Sequence, residues 1–486
     1  AREIALHMRA QPGTRIEETT ALTDRVETTI RAVIPRAQLA SIVDNIGMPV
    51  SGINRSYINT GTVGVYDADI LISLNEGATS TAEYVKSLRE RLPRAFPGTA
   101  FSFLPADIVS KILNFGTPAP LDVQITGNNL NAAGNYADKL LAKIKRVPGV
   151  ADPRIQQVFR APAVRINFNR TLAGLVGLTE RDAAQSLETT LSGSTQTAPT
   201  FWLNPKNGVS YPVSIQTPQY RIDTLGSLKN LPLSASHSTQ LLGGLATIVP
   251  EPVNAIVSHY NIRPTVDIYA TTQGRDLGAV AADIGKLIDE SKAGLPKGAT
   301  VTTRGQIVTM ESAYGQLFFG LGFTIVLIYL LIVVNFQSWL DPFIIVLALP
   351  TALAGIVWML FLTHTSLSVP ALTGAIMAMG VATANSILVT SFAREQLAEG
   401  RDAASAALEA GGTRFRPVLM TALAMIIGML PMAIEPGQNA PLGRAVIGGL
   451  MFATCATLIL VPALFSLAHG RERPEKITAV SSASTA

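Results

Sequence analysis

Residues 318–336 read FFGLGFTIVLIYLLIVVNF, an apolar run without Asp, Glu, Lys, Arg or His. Four more uncharged apolar runs follow at 343–362, 368–392, 418–434 and 445–467. An apolar helix of about 20 residues crosses the hydrocarbon core of a bilayer and satisfies its backbone amides internally. Five such runs in one block predict five membrane-spanning helices within 316–468, and they argue against the buried core of a soluble protein.

The composition agrees with a chain of two unlike parts. Of its 486 residues, 48% are hydrophobic and 15% are charged, and the mean hydropathy is +0.32. The net charge of +4 is small for this length and indicates no nucleic-acid partner. Cys455 is the only cysteine, which excludes intrachain disulfides. The chain opens on AREIALHM, which reads as the interior of a strand and predicts a fragment of a longer protein.

Basic residues are concentrated at one side of the predicted membrane region. They lie in the connection 393–417 and in 470–476, as Arg394, Arg401, Arg414, Arg416, Arg471, Arg473 and Lys476. By the positive-inside rule, this connection and the tail 469–486 are expected in the cytoplasm. Since five crossings are an odd number, residues 1 to about 315 are expected in the periplasm of a Gram-negative cell. The amphipathic stretch 395–410 is expected to lie on the membrane surface.

The polar part alternates β-rich runs with amphipathic helical patterns. The predicted elements are 4–8, 15–34, 63–74, 80–92, 100–104, 121–126, 131–146, 153–158, 265–269, 276–295 and 299–304. Helices between strands at this spacing predict βαβ units on small mixed sheets. The interval 161–250 interrupts them and contains NPKNGVSYPV at 204–213, where Asn207-Gly208 is a hairpin signal. This interval is interpreted as an inserted domain with the hairpin at its tip.

Six stretches of the chain carry a family resemblance. They are RAQPGTRIEE at 9–18, PAVRINFN at 162–169, GLVGLTERDAAQSL at 174–187, GVATANSILVTSF at 380–392, RFRPVLMTALAMIIGMLPMAI at 414–434 and APLGRAVIGGL at 440–450. Together they resemble the C-terminal half of resistance-nodulation-division (RND) efflux permeases of the hydrophobe and amphiphile type. In that family a protomer has two homologous halves with six spans each, and three protomers assemble. The resemblance implies that this chain begins after the seventh span.

The same resemblance implies a domain organisation and a set of partners. The expected fold class is a membrane protein with an α-helical transmembrane bundle, α+β periplasmic porter subdomains (βαβ, ferredoxin-like) and an inserted docking domain. Residues 1–115 are expected to form the first porter subdomain, 116–160 with 252–310 the second, and 161–251 the docking domain. The expected partners are the missing N-terminal half, two further copies in a homotrimer, a periplasmic adaptor protein, an outer-membrane channel and the lipid bilayer.

Proton coupling needs titratable groups at membrane depth, and none lies inside the five runs. In the family, an aspartate pair in the fourth span, here missing, acts with a lysine in the tenth span and a threonine in the eleventh. Thr421 matches the threonine, Arg414 matches the basic residue that opens the same helix, and Ala384 occupies the lysine position. Thr383 and Asn385 could hydrogen-bond a carboxyl group across the helix interface instead. Helix packing alone is the alternative interpretation.

Phe101, Phe103 and Phe115 lie near the expected junction of the porter subdomains, where the family opens a substrate cleft. Aromatic walls suit hydrophobic and amphiphilic compounds, although a place in the subdomain core explains each residue equally well. Heavy-metal efflux is a weaker alternative, because methionines are few before the first run and histidines are scattered. A phosphate-binding loop is missing from the sequence, and no cofactor, resident metal site or catalytic arrangement is expected.

Two classes of function remain open at this point. The first is an inner-membrane efflux permease subunit that exports hydrophobic or amphiphilic compounds by proton antiport, as part of a trimeric envelope-spanning pump. The second is a half that does not transport, either a truncated gene product or a membrane-anchored periplasmic docking module, and the lack of intramembrane charge favours this class. An upstream half with two intramembrane acids would distinguish the two classes.

Overall fold

The computed structural model describes residues 2–49, 60–75, 80–234, 239–435, 437 and 439–470. The predicted tail 469–486 lies outside these ranges except for its first two residues. The chain forms two compact units, Ala1–Val308 and Thr309–Ala486. The first is called the αβ unit below, and the second is called the span unit.

The αβ unit is built from short strands and amphipathic helices. Its strands are β1 (Glu3–Arg9), β2 (Leu39–Ile46), β3 (Asp67–Leu74), β4 (Ala100–Leu104), β5 (Leu121–Thr126), β6 (Val150–Ile155), β7 (Ala161–Phe168), β8 (Thr200–Leu203), β9 (Ser210–Val213), β10 (Pro232–Ser234), β11 (Thr239–Leu241), β12 (Ala246–Val253), β13 (Ser258–Tyr260), β14 (Arg263–Thr272) and β15 (Thr300–Arg304). Its helices are α1 (Ile16–Val33), α2 (Thr81–Ala95), α3 (Ile108–Leu113), α4 (Leu130–Ile144), α5 (Arg170–Leu175), α6 (Glu180–Ser192), α7 (Leu225–Lys229), α8 (Leu242–Leu245) and α9 (Leu277–Ser291).

The first sheet has the order β2-β3-β1-β4, and all its pairs are antiparallel. Helix α1 joins β1 to β2, and α2 joins β3 to β4, so the sheet is a βαββαβ unit of the ferredoxin-like type. The prediction of mixed sheets is wrong. The two strands that a helix joins are not neighbours in the sheet, because a third strand lies between them and pairs antiparallel with both. Strand β2 was not predicted, since its mostly exposed residues lack a regular apolar alternation.

The second sheet repeats this order with strands from two separate parts of the sequence. Strand β5 lies between β15 and β14, while β6 and β13 both pair with β14. Helices α4 and α9 make the two crossovers and bury Leu140 and Ile284 against the sheet. The segment from β7 to β12 therefore interrupts a second βαββαβ unit. The residue boundaries given above for the subdomains stay predictions.

The inserted segment has a small core of its own. Strands β7 and β12 pair along their whole length, and Leu178, Leu233 and Leu242 are buried beside them. Helix α6 begins with a capping box. The Thr179 hydroxyl accepts a hydrogen bond from the Asp182 backbone N–H, and the Asp182 carboxylate accepts one from the Thr179 backbone N–H. Strands β8 and β9 form a separate hairpin.

Five helices of the described ranges are long and apolar enough to cross a membrane. The first span is Gln306–Phe336, the second Leu340–Leu362, the third Val369–Ala398, the fourth Ala403–Ile434 and the fifth Ala440–His469. The individual helices are α10 (Gln306–Phe336), α11 (Leu340–Val346), α12 (Leu349–Leu362), α13 (Val369–Ala398), α14 (Ala403–Ile434), α15 (Ala440–Cys455) and α16 (Val461–His469), with a π-helical segment at Ala456–Leu460. The expected surface stretch 395–410 is not one helix, because its residues end the third span and begin the fourth, and its place at the membrane surface stays a prediction.

The third span is the centre of the span unit. The buried share of its most apolar window is 56%, against 6% for the first span, which is the least covered. Gly355 of the second span and Gly448 of the fifth allow a close backbone approach, since a Cβ atom on Gly355 would lie 2.4 Å from the Gly448 carbonyl oxygen. Small residues at such crossings are typical of helices that pack in lipid.

Candidate functional site

The predicted coupling residues Asn385 and Thr421 lie next to each other between the third and fourth spans. The Thr421 hydroxyl is 3.3 Å from the Asn385 side-chain oxygen and also donates to the Val418 carbonyl oxygen at 2.9 Å. The Asn385 side chain is buried, while Thr421 lies at the exposed edge of its helix. The pair is therefore a polar contact that a further group could reach from the exposed side.

Neither Thr383 nor Ala384 is a hydrogen-bond partner in this contact. The Thr383 hydroxyl donates to the Met379 carbonyl oxygen of its own helix at 2.9 Å. Ala384, at the position where the family has lysine, is exposed on the third span. A side chain at this position therefore faces outward from the chain.

A second polar contact involves Thr457 of the π-helical segment in the fifth span. The hydroxyl oxygens of Ser386 and Thr457 are 2.9 Å apart, and both residues are fully buried. A π-helical turn places one extra residue in a helix and is frequent at functional sites. Sequence reasoning missed this pair, because only the packing of the two spans shows that the hydroxyls face each other.

Arg414 lies within the fourth span, two turns before Thr421. Its guanidinium carbon is 5.2 Å from the centre of the Phe392 ring, a cation–π distance. Its buried Nε has no hydrogen-bond partner among the described residues. The structure therefore separates Arg414 from the Asn385–Thr421 contact and pairs it with the third span.

Sequence reasoning also missed a charged cluster at the ends of three spans. Asp341, in the first turn of the second span, is 0% exposed. Its carboxylate oxygens lie 2.9 Å from Arg394 Nη1 of the third span and 3.3 Å from His469 Nε2 of the fifth. An acid in the first helical turn is an ordinary helix-start signal, so the sequence alone gave no sign of its burial.

The three predicted substrate-cleft residues do not form one wall. Phe101 packs against the core of the first sheet with its ring centre 6.2 Å from that of Phe96. Phe103 is buried and also lines a cavity of about 400 Å³ between the two sheets. Phe115 is 73% exposed and lies beyond α3, whose residues Ile108 and Ile112 are exposed as well. These three exposed residues form an apolar patch on α3 and just after it.

Asn207 and Gly208 form the turn of the predicted hairpin. Gly208 has a φ of 69°, and the Asn207 side-chain oxygen accepts from the Val209 backbone N–H at 3.0 Å. The strands β8 and β9 are exposed throughout, including Trp202 and Tyr211, whose rings lie 6.0 Å apart. This hairpin presents an aromatic and apolar surface to its surroundings, whereas its docking role stays a prediction.

The second sheet buries carboxylates on the face opposite its helices. Burial, together with the neighbouring Asp267 carboxylate, raises the pKa of Asp122 well above its ordinary value, although Arg304 opposes this shift. Asp267 accepts hydrogen bonds from Gln124 at 3.0 Å and Gln157 at 2.7 Å. Asp122 Oδ1 accepts none from the described part of the chain. A carboxyl group in this environment favours its protonated form.

The sequence model of the AcrB/AcrD/AcrF family matches residues 1–469, which include both the αβ unit and the five spans. The chain belongs to this family of RND permeases. The predicted RND family and fold class are confirmed, whereas the hydrophobe and amphiphile type stays a prediction. RND permeases of this kind are inner-membrane efflux proteins.

Several RND relatives resemble the chain over most of its length. The cation efflux system protein CzcA of Alcaligenes sp. is 25% identical over 500 residues, which cover 98% of this chain and 45% of CzcA. The nickel and cobalt resistance protein CnrA of Cupriavidus metallidurans is 30% identical over 414 residues, covering 82% of this chain and 38% of CnrA. A crystal structure of a heavy metal efflux pump has the same fold, with a TM-score of 0.80 and 24% identity, over 97% of this chain and 47% of that pump. The chain thus spans about half the length of the relatives it matches.

The names of these RND relatives refer to cation efflux and metal resistance, so the side chains of this chain that could bind a metal are relevant. Within the described ranges, no group of three or more His, Cys, Asp or Glu residues is arranged to hold a metal ion. His7 Nδ1 lies 2.7 Å from Asp69 Oδ1, but the other nearby carboxylate, Asp67, already accepts from Arg9 at 2.7 Å. Burial raises the pKa of Asp69, but the hydrogen bond and charge of His7, together with hydrogen bonds from Thr60 and Thr62, hold this pKa below its ordinary value.

Proposed function

We propose that this chain is part of an RND permease that exports its substrate from the periplasm, driven by proton movement through the spans. The observation that carries the proposal is the family match over 1–469, which includes the porter-like sheets and the spans together. The Asn385–Thr421 contact inside the spans favours export over a docking module alone, because polar groups at membrane depth often belong to ion pathways.

The proposal includes an orientation and an assembly. The αβ unit is periplasmic, and the link between the third and fourth spans is cytoplasmic, which the basic residues Arg394, Arg401 and Arg416 near this link support. The partners are the rest of the permease, further copies of it, a periplasmic adaptor and an outer-membrane channel. The exposed β8–β9 hairpin supports a docking role for the inserted segment.

For the substrate, we propose metal cations, which the printed functions of CzcA and CnrA support. The cation ligands would then involve residues beyond the described ranges or beyond this chain. Hydrophobic compounds are the second candidate, and the apolar patch of Ile108, Ile112 and Phe115, on α3 and just after it, favours them.

An export assay separates these candidates. Cells lacking their own efflux pumps are given the permease that contains this chain, and growth is measured on zinc or cobalt salts and on a lipophilic dye, with and without an uncoupler. Tolerance of the metals that the uncoupler abolishes supports metal export, and dye extrusion alone supports the second candidate. The absence of both activities, in cells where the protein reaches the membrane, would contradict the export proposal.

The coupling role of the Asn385–Thr421 contact has its own test. Thr421→Ala and Asn385→Leu each remove one partner of the contact, and we expect export to fall about tenfold, the effect of ~1.4 kcal/mol on a barrier. Thr324→Ala is the matched control, since the Thr324 hydroxyl donates to the Gly320 carbonyl oxygen of its own helix. Normal export and proton uptake in both variants would assign the contact to helix packing.

A further inference from the structure

The charged cluster around Asp341 joins the ends of four spans. Asp341 is fully buried in the first turn of the second span. Arg394 Nη1 of the third span lies 2.9 Å from the Asp341 carboxylate. The same nitrogen donates at 2.7 Å to the carbonyl oxygen of Phe336, the last residue of the first span. His469 Nε2, at the end of the fifth span, lies 3.3 Å from the Asp341 carboxylate. The packing of these four ends therefore includes one buried carboxylate and the groups that compensate it.

The Asp341 carboxylate has a charge contact with Arg394 but no hydrogen bond. The nearest Arg394 nitrogen donates to Phe336, and neither Asp341 oxygen accepts a hydrogen bond from the described part of the chain. Buried carboxylates are ordinarily hydrogen-bonded, because an ionised group without hydrogen bonds is costly in a low-dielectric interior. A proton held between Asp341 and the neighbouring His469 would supply the hydrogen bond that Arg394 does not.

Both ring nitrogens of His469 face oxygen atoms. Nε2 faces Asp341 Oδ1 at 3.3 Å, and Nδ1 lies 3.3 Å from the carbonyl oxygen of Phe465. A neutral imidazole carries one N–H, so beside an ionised carboxylate one of its nitrogens would present a lone pair to an oxygen. One additional proton removes this conflict, whether the ring or Asp341 carries it. The Phe465 ring, with its centre 4.3 Å from that of the imidazole, also favours a charged ring.

The other charged groups of the neighbouring helices have different surroundings. Within the described ranges, the third and fourth spans also carry Glu395, Glu409, Arg414 and Arg416. Glu395 and Arg416 are exposed. Glu409 pairs with Arg401, while Arg414 lies over the Phe392 ring. Asp341 is the only charged residue of the second span. The partner of His469 in proton binding is therefore Asp341, with Arg394 beside it.

We propose that Asp341 and His469 share one proton, and that this proton joins the end of the fifth span to the second and third spans. As pH rises on this side of the membrane, the proton passes to solvent, the pair loses one hydrogen-bond donor and the contact weakens. The stability that the pair contributes is therefore present at acidic pH and lost at alkaline pH. Binding of this proton does not depend on what the permease exports.

Thermal unfolding of the span unit tests the shared proton. The full 486-residue chain carries Trp202→Phe, which leaves Trp339 and Trp358 of the span unit as its tryptophans, so fluorescence in detergent follows that unit. His469→Gln should lower the unfolding midpoint by about 3 °C or more at pH 6 and by less than about 1 °C at pH 9. Each variant is compared with this parent chain at the same pH, because the raised pKa of Asp122 gives all of them a common pH dependence.

Three further variants separate the shared proton from packing of the ring. In the Asp341→Asn chain, His469→Gln should change the midpoint by less than about 1 °C at either pH, since the partner is already lost. His469→Lys keeps its charge at pH 9 and should unfold at a higher temperature than the parent chain there. His364→Asn removes an exposed imidazole at a φ of 48°, a conformation that asparagine tolerates, and should leave the midpoint unchanged at both pH values.

The outcomes distinguish the two explanations of the contact. A His469→Gln effect of equal size at pH 6 and pH 9, or one that persists in the Asp341→Asn chain, would assign the contact to packing and overturn the shared proton. A His469→Lys chain less stable than its parent at pH 9 would overturn it as well. If His469→Gln fails to fold, the comparison of His469→Lys with the parent chain at pH 9 still decides.

Discussion

Arg89 and Asp152 meet as full charges inside the αβ unit, whereas Asn385 and Thr421 meet as neutral groups inside the span unit. The αβ unit has apolar cores on the helix faces of its sheets, and those cores can offset the cost of a paired charge. In lipid, apolar burial gives no comparable driving force, so helices associate through close packing and uncharged hydrogen bonds. The charged contact described for the spans, around Asp341, lies at their ends.

The two units also differ in which way their large apolar residues face. Leu6 and Ile70 of the first sheet are fully buried, while Leu331 of the first span is 70% exposed. Water forces the first arrangement, and a bilayer permits the second. The interior of the span unit is instead determined by small residues, and this difference predicts where substitutions act.

The largest effect is expected where two helix backbones touch. A Cβ atom on Gly448 would lie 2.3 Å from Met359 Cβ and 2.6 Å from the Gly355 carbonyl oxygen. Gly448→Ala should therefore cost about 3 kcal/mol of stability, the upper end of overpacking effects, measured by thermal unfolding in detergent. Gly380→Ala is the matched control in the third span, because no described atom lies within 4 Å of its added Cβ. Equal stability of the two variants would contradict the close crossing.

A smaller effect is expected from the buried acid of the second sheet. The raised pKa of Asp122 means that the folded chain binds more protons than the unfolded chain between the ordinary and the folded pKa. Stability therefore falls as pH rises through this interval, and it stays lowered above it. Asp122→Asn cannot ionise, so it should raise stability at pH 8 by about 1 kcal/mol or more and have little effect at pH 4.

Unfolding midpoints at the two pH values measure this difference. Asp138→Asn, at an exposed position of α4, should change stability by less than about 0.5 kcal/mol at either pH. If Asp122→Asn were instead less stable than the unchanged protein at pH 8, the Asp122 carboxylate would be ionised and paired in the folded chain. The comparison between the αβ unit and the span unit would then lose this support.

The smallest effect is expected from the buried hydroxyl pair of the spans. Ser386→Ala, Thr457→Ala and the double variant form a thermodynamic cycle for the 2.9 Å contact. Its coupling energy should be about 0.6 kcal/mol, the mean for hydrogen bonds between membrane helices. A coupling energy near zero would show that the two hydroxyls are satisfied by their own helices.

Much of the fold could be predicted because its signals are local in the sequence. An uncharged run of sufficient length predicts a span wherever it packs, and the Asn207-Gly208 turn needs only its own backbone geometry. Strand β2 was missed for the opposite reason, since its apolar residues do not alternate. Asn385 and Thr421 were identified through the family resemblance, and their roles in coupling stay predictions.

The sequence by itself determined the five spans, the alternation of strands and helices, and the position of the inserted segment. Only the tertiary structure decided that both sheets are antiparallel, that Phe103 lines a cavity while Phe115 is exposed, and that Arg89 meets Asp152 across 63 residues. It also decided that Asp341, which reads as part of a short connection, is buried between Arg394 and His469. Hydrophobic length and turn geometry act over neighbouring residues, whereas burial and charge pairing depend on which distant segments pack together.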